Sequence, residues 1–459
     1  MLFNVLTSTY FLVLIGVLLI LLGITLLTQI AAKGKGIGGK IFCILICIIL
    51  GVGSFYIGKV NNAFQKITGS NKKTSSMVVA VKADDNADTL SAAAGYTFGV
   101  QYATGGDQTK SAVKQIEKEL GQNITLQEYS NLGEEAQALY DGEVDAIIYN
   151  SAYSNIIKEQ YSTFTKDTKV IYKHNIVVEI ESDTSDESVT KPFAVYLSGI
   201  DTNGDITEQG RSDVNIVAVV NPTSHQVLLI TTPRDYYVPI PGVSGGQDDK
   251  LTHAGIYGVD VSMQTLEELY DTDIEFFGRV NFTSMTSVVD ALGGLDVESD
   301  LEFDTGWESG AEIHVNEGMN HFDGISALAF CRERQALPDG DNGRGVHQQA
   351  VITAIIKKMM SPAMLRGASD IIESVSDGVD TNFTSSQIQS LIKTQLRTNA
   401  KWNIYSVAAD GTGGTDICYS SGDEELYVTY PDENSVAEIS ELIKKVKDGE
   451  TIEGSVSTE

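Results

Sequence analysis

The chain is short of cationic, imidazole and thiol side chains. Its 32 lysines and arginines face 62 aspartates and glutamates, giving a formal charge of −30. A field of that sign repels nucleic acid and anionic headgroups, so a nucleic-acid partner is disfavoured. Any anionic substrate needs a local site working against the global field, built from concentrated arginine, a divalent metal or both. The six histidines form no H-x-x-x-H pair, which argues against a histidine zinc enzyme, and His253 reads as a packed core histidine. Of the four cysteines, Cys43 and Cys47 lie in an apolar run. That leaves Cys331 and Cys418, with no readable disulfide framework and nothing to support a 331–418 bridge.

Arginine is scarce enough for its placement to carry information. The eight stand at positions 211, 234, 279, 332, 334, 344, 366 and 397. Three fall in one segment, Cys331-Arg332-Glu333-Arg334, continued by Gly340-Asp341-Asn342-Gly343-Arg344 and then Gln348. A guanidinium presents a planar fork of donors that matches phosphate oxygens, so clustered arginines in an acidic chain point to an anion. The competing reading is surface ion pairing with Glu333, Asp339 and Asp341.

No charged residue occurs from Leu2 to Ala32 or from Ile41 to Gly58. Each run is long enough to cross a hydrocarbon core of about 30 Å as a helix, so residues 1–60 are expected to form two transmembrane helices. A cleaved signal peptide fits less well, because the first run is long and lacks a basic start. The intervening Lys33-Gly34-Lys35-Gly36-Ile37-Gly38-Gly39-Lys40 imitates a dinucleotide fingerprint but has no βαβ context and reads as a turn. Its lysines place that loop in the cytoplasm and the rest of the chain outside, although Lys59, Lys66, Lys72 and Lys73 weaken the charge rule.

Residues 61–76 are polar and read as a linker. Residues 77–180 alternate short β-type runs (Val78–Val81, Tyr96–Val100, Ala146–Tyr149, Val170–Tyr172, Ile176–Ile180) with helices over Thr109–Leu120 and Gly133–Tyr140. That pattern predicts a small accessory α/β domain, read as packed structure in preference to a spacer or glycan-contacting module. Residues 181–191 form an acidic linker. Residues 192–447 follow as a larger mixed α/β domain with a C-terminal extension, and 448–459 is expected to be a disordered tail.

Within the larger domain, Asn215–Val220 and Val227–Thr231 form a hairpin across Asn221-Pro222, so Asp201, Asp213 and Arg234 stand at or beside strand ends. Gly324–Phe330 reads as a short helix running into the arginine segment. Arg344 and Gln348 lie one turn apart on a long helix. Five of the eight arginines (211, 234, 332, 334, 344) sit in these segments, which favours the anion site over surface pairing.

These motifs resemble the LytR-CpsA-Psr family of membrane-anchored cell-wall ligases, in particular its capsule-associated branch. The resemblance rests on Gly199-Ile200-Asp201, Arg211-Ser212-Asp213, Thr232-Pro233-Arg234-Asp235, Asp249 to Tyr257, Val289 to Gly294, and Arg332-Glu333-Arg334 with Gly340-Asp341 and Arg344, in fixed order over about residues 192 to 360. It departs at His347, where many members carry another basic residue, and in the placing of the N-terminus.

The resemblance implies transfer of a glycopolymer from an undecaprenyl-pyrophosphate carrier to a peptidoglycan sugar hydroxyl, outside the cell membrane, with Mg²⁺ as cofactor. By matched position Asp201 and Asp213 would hold the metal. Arg211, Arg234, Arg332, Arg334, Arg344 and Gln348 would grip the pyrophosphate, and Asp341 would orient the arginines. Arg234, Arg332, Arg334 and Asp213 would be the catalytic set.

Elementary chemistry agrees, since phosphoryl transfer asks for neutralised charge on the equatorial and leaving oxygens, which a metal and an arginine clamp supply. Asp213 and Asp235 are both candidates for removing the acceptor's proton. Phe276-Phe277, Val288-Val289 and Ile352, Ile355 and Ile356 could line a groove for the carrier lipid, with core packing the favoured reading for most. Two other functions fit the same residues: a phosphatase that only cleaves polyprenyl pyrophosphate, and a non-enzymatic membrane sensor that binds polyprenyl phosphate.

Overall fold

A computed structural model describes residues 8–31, 41, 72–179, 189–200, 206, 209–338, 341–359, 361, 378–422, 424–452 and 457–458. Two sheets organise it. The first contains β1 (Lys72–Lys82), β2 (Thr97–Gln101), β3 (Thr125–Tyr129), β4 (Ala146–Asn150) and β5 (Thr168–Glu179) in the order β3-β2-β4-β1-β5. β2 runs parallel to β3 and β4, whereas β1 is antiparallel to β4 and β5.

The second sheet has seven strands: β6 (Phe193–Ile200), β7 (Ser212–Asn221), β8 (Gln226–Thr231), β11 (Phe276–Asn281), β16 (Val379–Thr381), β17 (Asn403–Ala408) and β20 (Ser457–Thr458). Their order is β16-β11-β6-β7-β8-β17-β20. β11 is parallel to β6 and β17 to β8, while β6, β7 and β8 form an antiparallel meander. The mixed α/β class expected from the sequence is what the chain adopts.

Successive side chains of a strand point to opposite faces, and here both faces are covered. Tyr196, Val217, Val219, Leu228 and Ile230 pack against Leu251, Leu266, Leu442 and Ile443, which lie on the helices Leu251–Tyr257, Val259–Tyr270 and Glu433–Asp448. Their neighbours Val195, Ile216, Ala218, Val227 and Leu229 face the other way, with Ile352 and Ile356 of the helix Asp341–Met359 packed over them. Phe276 and Phe277 are fully buried in these two layers, and Val289 is fully buried in a third cluster, so these residues are core.

Smaller ladders surround the sheet. β9 (Tyr237–Pro239) pairs with β10 (Asp248–Lys250), β12 (Leu295–Ser299) with β15 (Gly318–Phe322), β13 (Phe303–Asp304) with β14 (His314–Val315), and β18 (Gly411–Ile417) with β19 (Glu425–Pro431).

The two large sheets share packing. Ile240, Ala254, Ile256 and Tyr257 belong to the same buried cluster as Val78, Leu139, Ile147 and Phe164. The rings of Tyr153 and Tyr257 are 5.9 Å apart, and Gln209 Oε1 accepts from Ser75 Oγ at 2.7 Å and Asn150 Nδ2 at 3.0 Å. Lys73 Nζ reaches Asp260 at 2.8 Å.

Three expectations change, and one helix was not foreseen. Residues 72–76 are the start of β1 rather than linker; Ser75 and Ser76 are buried, with Ser76 Oγ donating to Asn175 Oδ1 at 2.9 Å. The run 170–172 and the described part of the run 176–180 fall in one strand, β5, which ends at Glu179. Leu251–Tyr257 is a helix. The end of the chain is not a free tail: Ile452 is fully buried and 457–458 pair with β17.

The helix Ser8–Ala31 is apolar, with Leu19, Ile20, Leu22, Leu26, Leu27 and Ile30 all exposed. Among the described residues no helix is long and apolar enough to cross a membrane; the described side chains of this one begin at Gly16. The second expected span, 41–58, lies outside the described residues except for Ile41.

Candidate functional site

At one edge of the central sheet β6 ends and β7 begins, and β8 runs out beside them because Thr231 pairs with Ile216. This edge therefore delivers Gly199, Asp213 and Arg234 to one place. A cleft of about 230 Å³ opens there. Five stretches of chain line it: Gly199; Asp213 and Val214; Gly306, Glu308 and Ser309; Cys331 to Gln335; and Arg344 with Gln348. Arg332, Arg334, Arg344, Gln348 and Asp213 thus converge, although Arg332 and Arg344 are separated by a loop and a helix start. Arg344 and Gln348 reach it from one face of the helix Asp341–Met359, as their spacing predicts.

Local structure accounts for these positions. Asp323 caps the helix Gly324–Arg332 by accepting from Ser326 N, and the helix ends at Glu333, whose backbone turns extended (φ −61°, ψ 135°). The extended residue separates Arg332 from Arg334 and leaves both exposed at the cleft. Asp213 is held at the strand edge by Arg234 Nη1, which donates to its Oδ1 at 2.7 Å, and by Thr252 Oγ1 at 3.3 Å. Behind it, Tyr196, Ser198, Ser212 and Asn215 form a buried chain of hydroxyl and amide hydrogen bonds of 2.6 to 2.8 Å.

The surface ion-pair reading of the arginine segment does not hold for Glu333. This carboxylate is buried and turns away from both flanking guanidiniums to accept four other bonds. Gly306 N and Ser309 Oγ donate to Oε2 at 2.8 and 2.9 Å, while Arg334 N and Ala336 N donate to Oε1 at 2.9 Å. Burial pushes its pKa up, but the four donors outweigh that and bring it down to about 2. Glu333 therefore stays charged and ties the turn at 306–309 to the arginine segment.

Arg211 immediately precedes β7 but does not line the cleft. Asp201 lies outside the described residues, as does the side chain of Asp341, which starts its helix. Asp235 is nearly buried between two cations, 3.5 Å from Arg234 Nε and 3.5 Å from Lys250 Nζ. Arg279, outside the motifs, is buried in an ion pair of 2.6 Å with Asp380, its cross-strand neighbour.

Other chemistry is absent from this cleft. Burial pushes the Cys331 thiol up to about 12, which removes it as a nucleophile at neutral pH, and Cys331 and Cys418 are both free. His347 is buried against Phe330, ring centroids 3.9 Å apart, and burial holds its pKa below the ordinary imidazole value. His253 is fully buried with Nδ1 2.7 Å from Asp249 Oδ1, the packed histidine expected.

Among the described residues no group of three or more His, Cys, Asp or Glu side chains could hold a metal. Magnesium asks for less, one or two carboxylates with the rest from phosphate and water. Asp213 fits: it lines the cleft, Arg234 and Thr252 both use Oδ1, and no bond to Oδ2 occurs among the described residues.

The sequence profile of the LytR-CpsA-Psr family matches residues 147–445. A Bacillus cereus protein named polyisoprenyl-teichoic acid–peptidoglycan teichoic acid transferase TagU is 34% identical over 253 residues, covering 55% of this chain and 77% of its own. An Enterococcus faecalis protein of the same name is 36% identical over 203 residues, covering 44% and 65%. Among solved structures, protein gbs0355 from Streptococcus agalactiae superposes with a TM-score of 0.51 at 25% identity, over 58% of this chain and 92% of that one. With a profile that spans most of the chain and a relative matched over most of its length, this protein belongs to the LytR-CpsA-Psr family.

Proposed function

We propose that the protein transfers a wall glycopolymer, of teichoic or capsule type, from a polyprenyl-pyrophosphate carrier onto a sugar hydroxyl of peptidoglycan. The observation that carries this reading is the convergence of Arg332, Arg334, Arg344, Gln348 and Asp213 on one cleft in a chain of charge −30. The names of the relatives supply the substrate class. Arg332 and Arg334 stand exposed at the cleft, where guanidiniums can take phosphate oxygens, and Arg344 with Gln348 completes the wall from the helix. Their fixed charges favour the transition state, in which negative charge moves onto the leaving phosphate oxygens.

Asp213, with Asp201, would hold Mg²⁺, whose chemistry is to neutralise phosphate charge. Asp235 is nearly buried and flanked by two cations away from the cleft, which leaves it poorly placed to take the acceptor hydroxyl's proton. Arg234 holds Asp213 in position through the bond to Oδ1. The uncharged helix Ser8–Ala31 and the uncharged run at 41–58 would anchor the chain in the cell membrane with the cleft outside.

The test is equilibrium binding of a polyprenyl diphosphate to the full chain in detergent, with and without Mg²⁺. Wild type is expected to bind more tightly with the ion. Arg344→Ala is expected to bind about tenfold or more weaker, the loss of a charge-assisted phosphate contact, and Asp213→Asn to lose the response to Mg²⁺. Binding that ignores both substitutions would refute the assignment of this cleft.

A further inference from the structure

Trp307 is the most exposed large apolar side chain of the described residues, 75% accessible. It opens a short 3₁₀ turn, Trp307–Ser309, in which Glu308 and Ser309, with the preceding Gly306, line the cleft, so Trp307 belongs to the segment that forms the cleft wall while its exposed side chain is not part of the lining. An indole in water contributes nothing to the core, yet its turn is fastened firmly. Gly306 N and Ser309 Oγ both donate to Glu333, and Glu308 accepts from Gln335 Nε2. Gly310 closes the turn with φ of 102°, and a Cβ added there would lie 3.4 Å from Arg332 Nη1. The turn thus rests against the guanidinium wall and holds a rigid aromatic face beside it.

We propose that Trp307 is a sugar platform, stacking on a pyranose ring held at the mouth of the cleft. This rests on the diphosphate reading above. The axial C–H bonds of a pyranose form a weakly positive, apolar face, the complement of the electron-rich face of an indole. The cleft is lined largely by charged and polar groups suited to phosphate, whereas the exposed indole of Trp307 on the adjoining turn offers an apolar face to a sugar attached to that phosphate. A Trp has two side-chain torsions, so fixing it costs little entropy. The pyranose has two sources, the first sugar of the carrier-linked donor and the glycan of the acceptor.

The experiment uses the full chain in detergent with Trp402→Phe, since Trp402 is the other tryptophan and is held by Gln395 and His225 away from the cleft. Trp307 emission is titrated with a sugar-free polyprenyl diphosphate, with the same lipid diphosphate bearing one N-acetylhexosamine, with soluble peptidoglycan glycan chains, and with phosphatidylglycerol vesicles. The sugar-bearing lipid is expected to bind roughly three- to tenfold tighter than the sugar-free one and to change the emission. With the affinities of the Trp307 variants, which carry no tryptophan in this background, read by equilibrium binding of radiolabelled ligands, Trp307→Ala is expected to erase that ratio and leave sugar-free affinity unchanged, and Trp307→Phe to retain most of it. If the glycan chains rather than the lipid-linked sugar produce the change, and Trp307→Ala abolishes their binding, the platform serves the acceptor.

Sugar-free binding that depends on Arg344, with a donor ratio and a glycan affinity both untouched by Trp307→Ala, overturns the platform and spares the diphosphate reading. Absence of any Arg344-dependent binding defeats that reading and the platform with it. A shift seen only with vesicles assigns the indole to lipid and overturns the platform.

Discussion

Glu333 shows how little a side chain's neighbours in sequence say about its partners. Between two arginines it reads as half of an ion pair, and it spends all four bonds on backbone amides and a hydroxyl instead. Glu333→Gln keeps the shape but sets an amide NH₂ against donors, at a cost of about 2–4 kcal/mol. The pH dependence follows from the lowered pKa. A carboxylate whose folded pKa, about 2, lies below its ordinary value of 4.5 stabilises the fold fully above that ordinary value. The contribution is lost as pH falls from about 4.5 to about 2. Urea unfolding at pH 7 and pH 3 should show Glu333→Gln destabilised at the first and with roughly half that deficit at the second; an equal deficit at both would contradict the assignment. At this scale the arginines, Gln348 and Asp213 were legible because a scarce residue type clustered against the net charge. The anchoring carboxylate and the exposed Trp307 were not, because both depend on where a distant turn at 306–310 docks.

The elements that place the site are set by close backbone approaches as much as by apolar pattern. Gly255, on the helix Leu251–Tyr257, sits where a Cβ would lie 2.7 Å from Gly210 O and 2.9 Å from Ser212 N, the strand start that carries Asp213. Gly255→Ala should push helix and strand apart, costing about 1–3 kcal/mol and weakening polyprenyl-diphosphate binding with it. Thermal unfolding together with that binding checks this, and an unchanged melting temperature would contradict it. The same helix escaped the sequence reading because all seven of its residues are buried, which erases the 3.6-residue alternation that marks an amphipathic helix. The start of β1 escaped it for the opposite reason: Ser75 and Ser76 look like loop residues until Gln209 and Asn175 accept their hydroxyls. The hairpin of β7 and β8 was readable because short, strongly apolar runs flank an Asn-Pro turn.

Across the whole molecule, the central sheet is covered on both faces and gathers the site at one edge, where strand ends meet the helix carrying Arg344. The alternation of apolar strands and helices made the mixed α/β class legible; the shared packing of the two sheets was not, since Tyr257, Ile256 and Ala254 show no sign in sequence of joining the cluster around Val78 and Ile147. That shared core couples the first sheet to the helix behind Asp213. The account as a whole requires the cleft to move polymer and not merely to bind or cleave its carrier. The most direct measurement incubates the full chain in detergent with a lipid diphosphate carrying a radiolabelled glycopolymer and with purified sacculi, then counts label that stays with the washed wall and is released by lysozyme. The account predicts wall-linked label with wild type and at most a few per cent of it with Arg344→Ala. Label freed into solution without wall linkage, or carrier bound with no label moved, would contradict it.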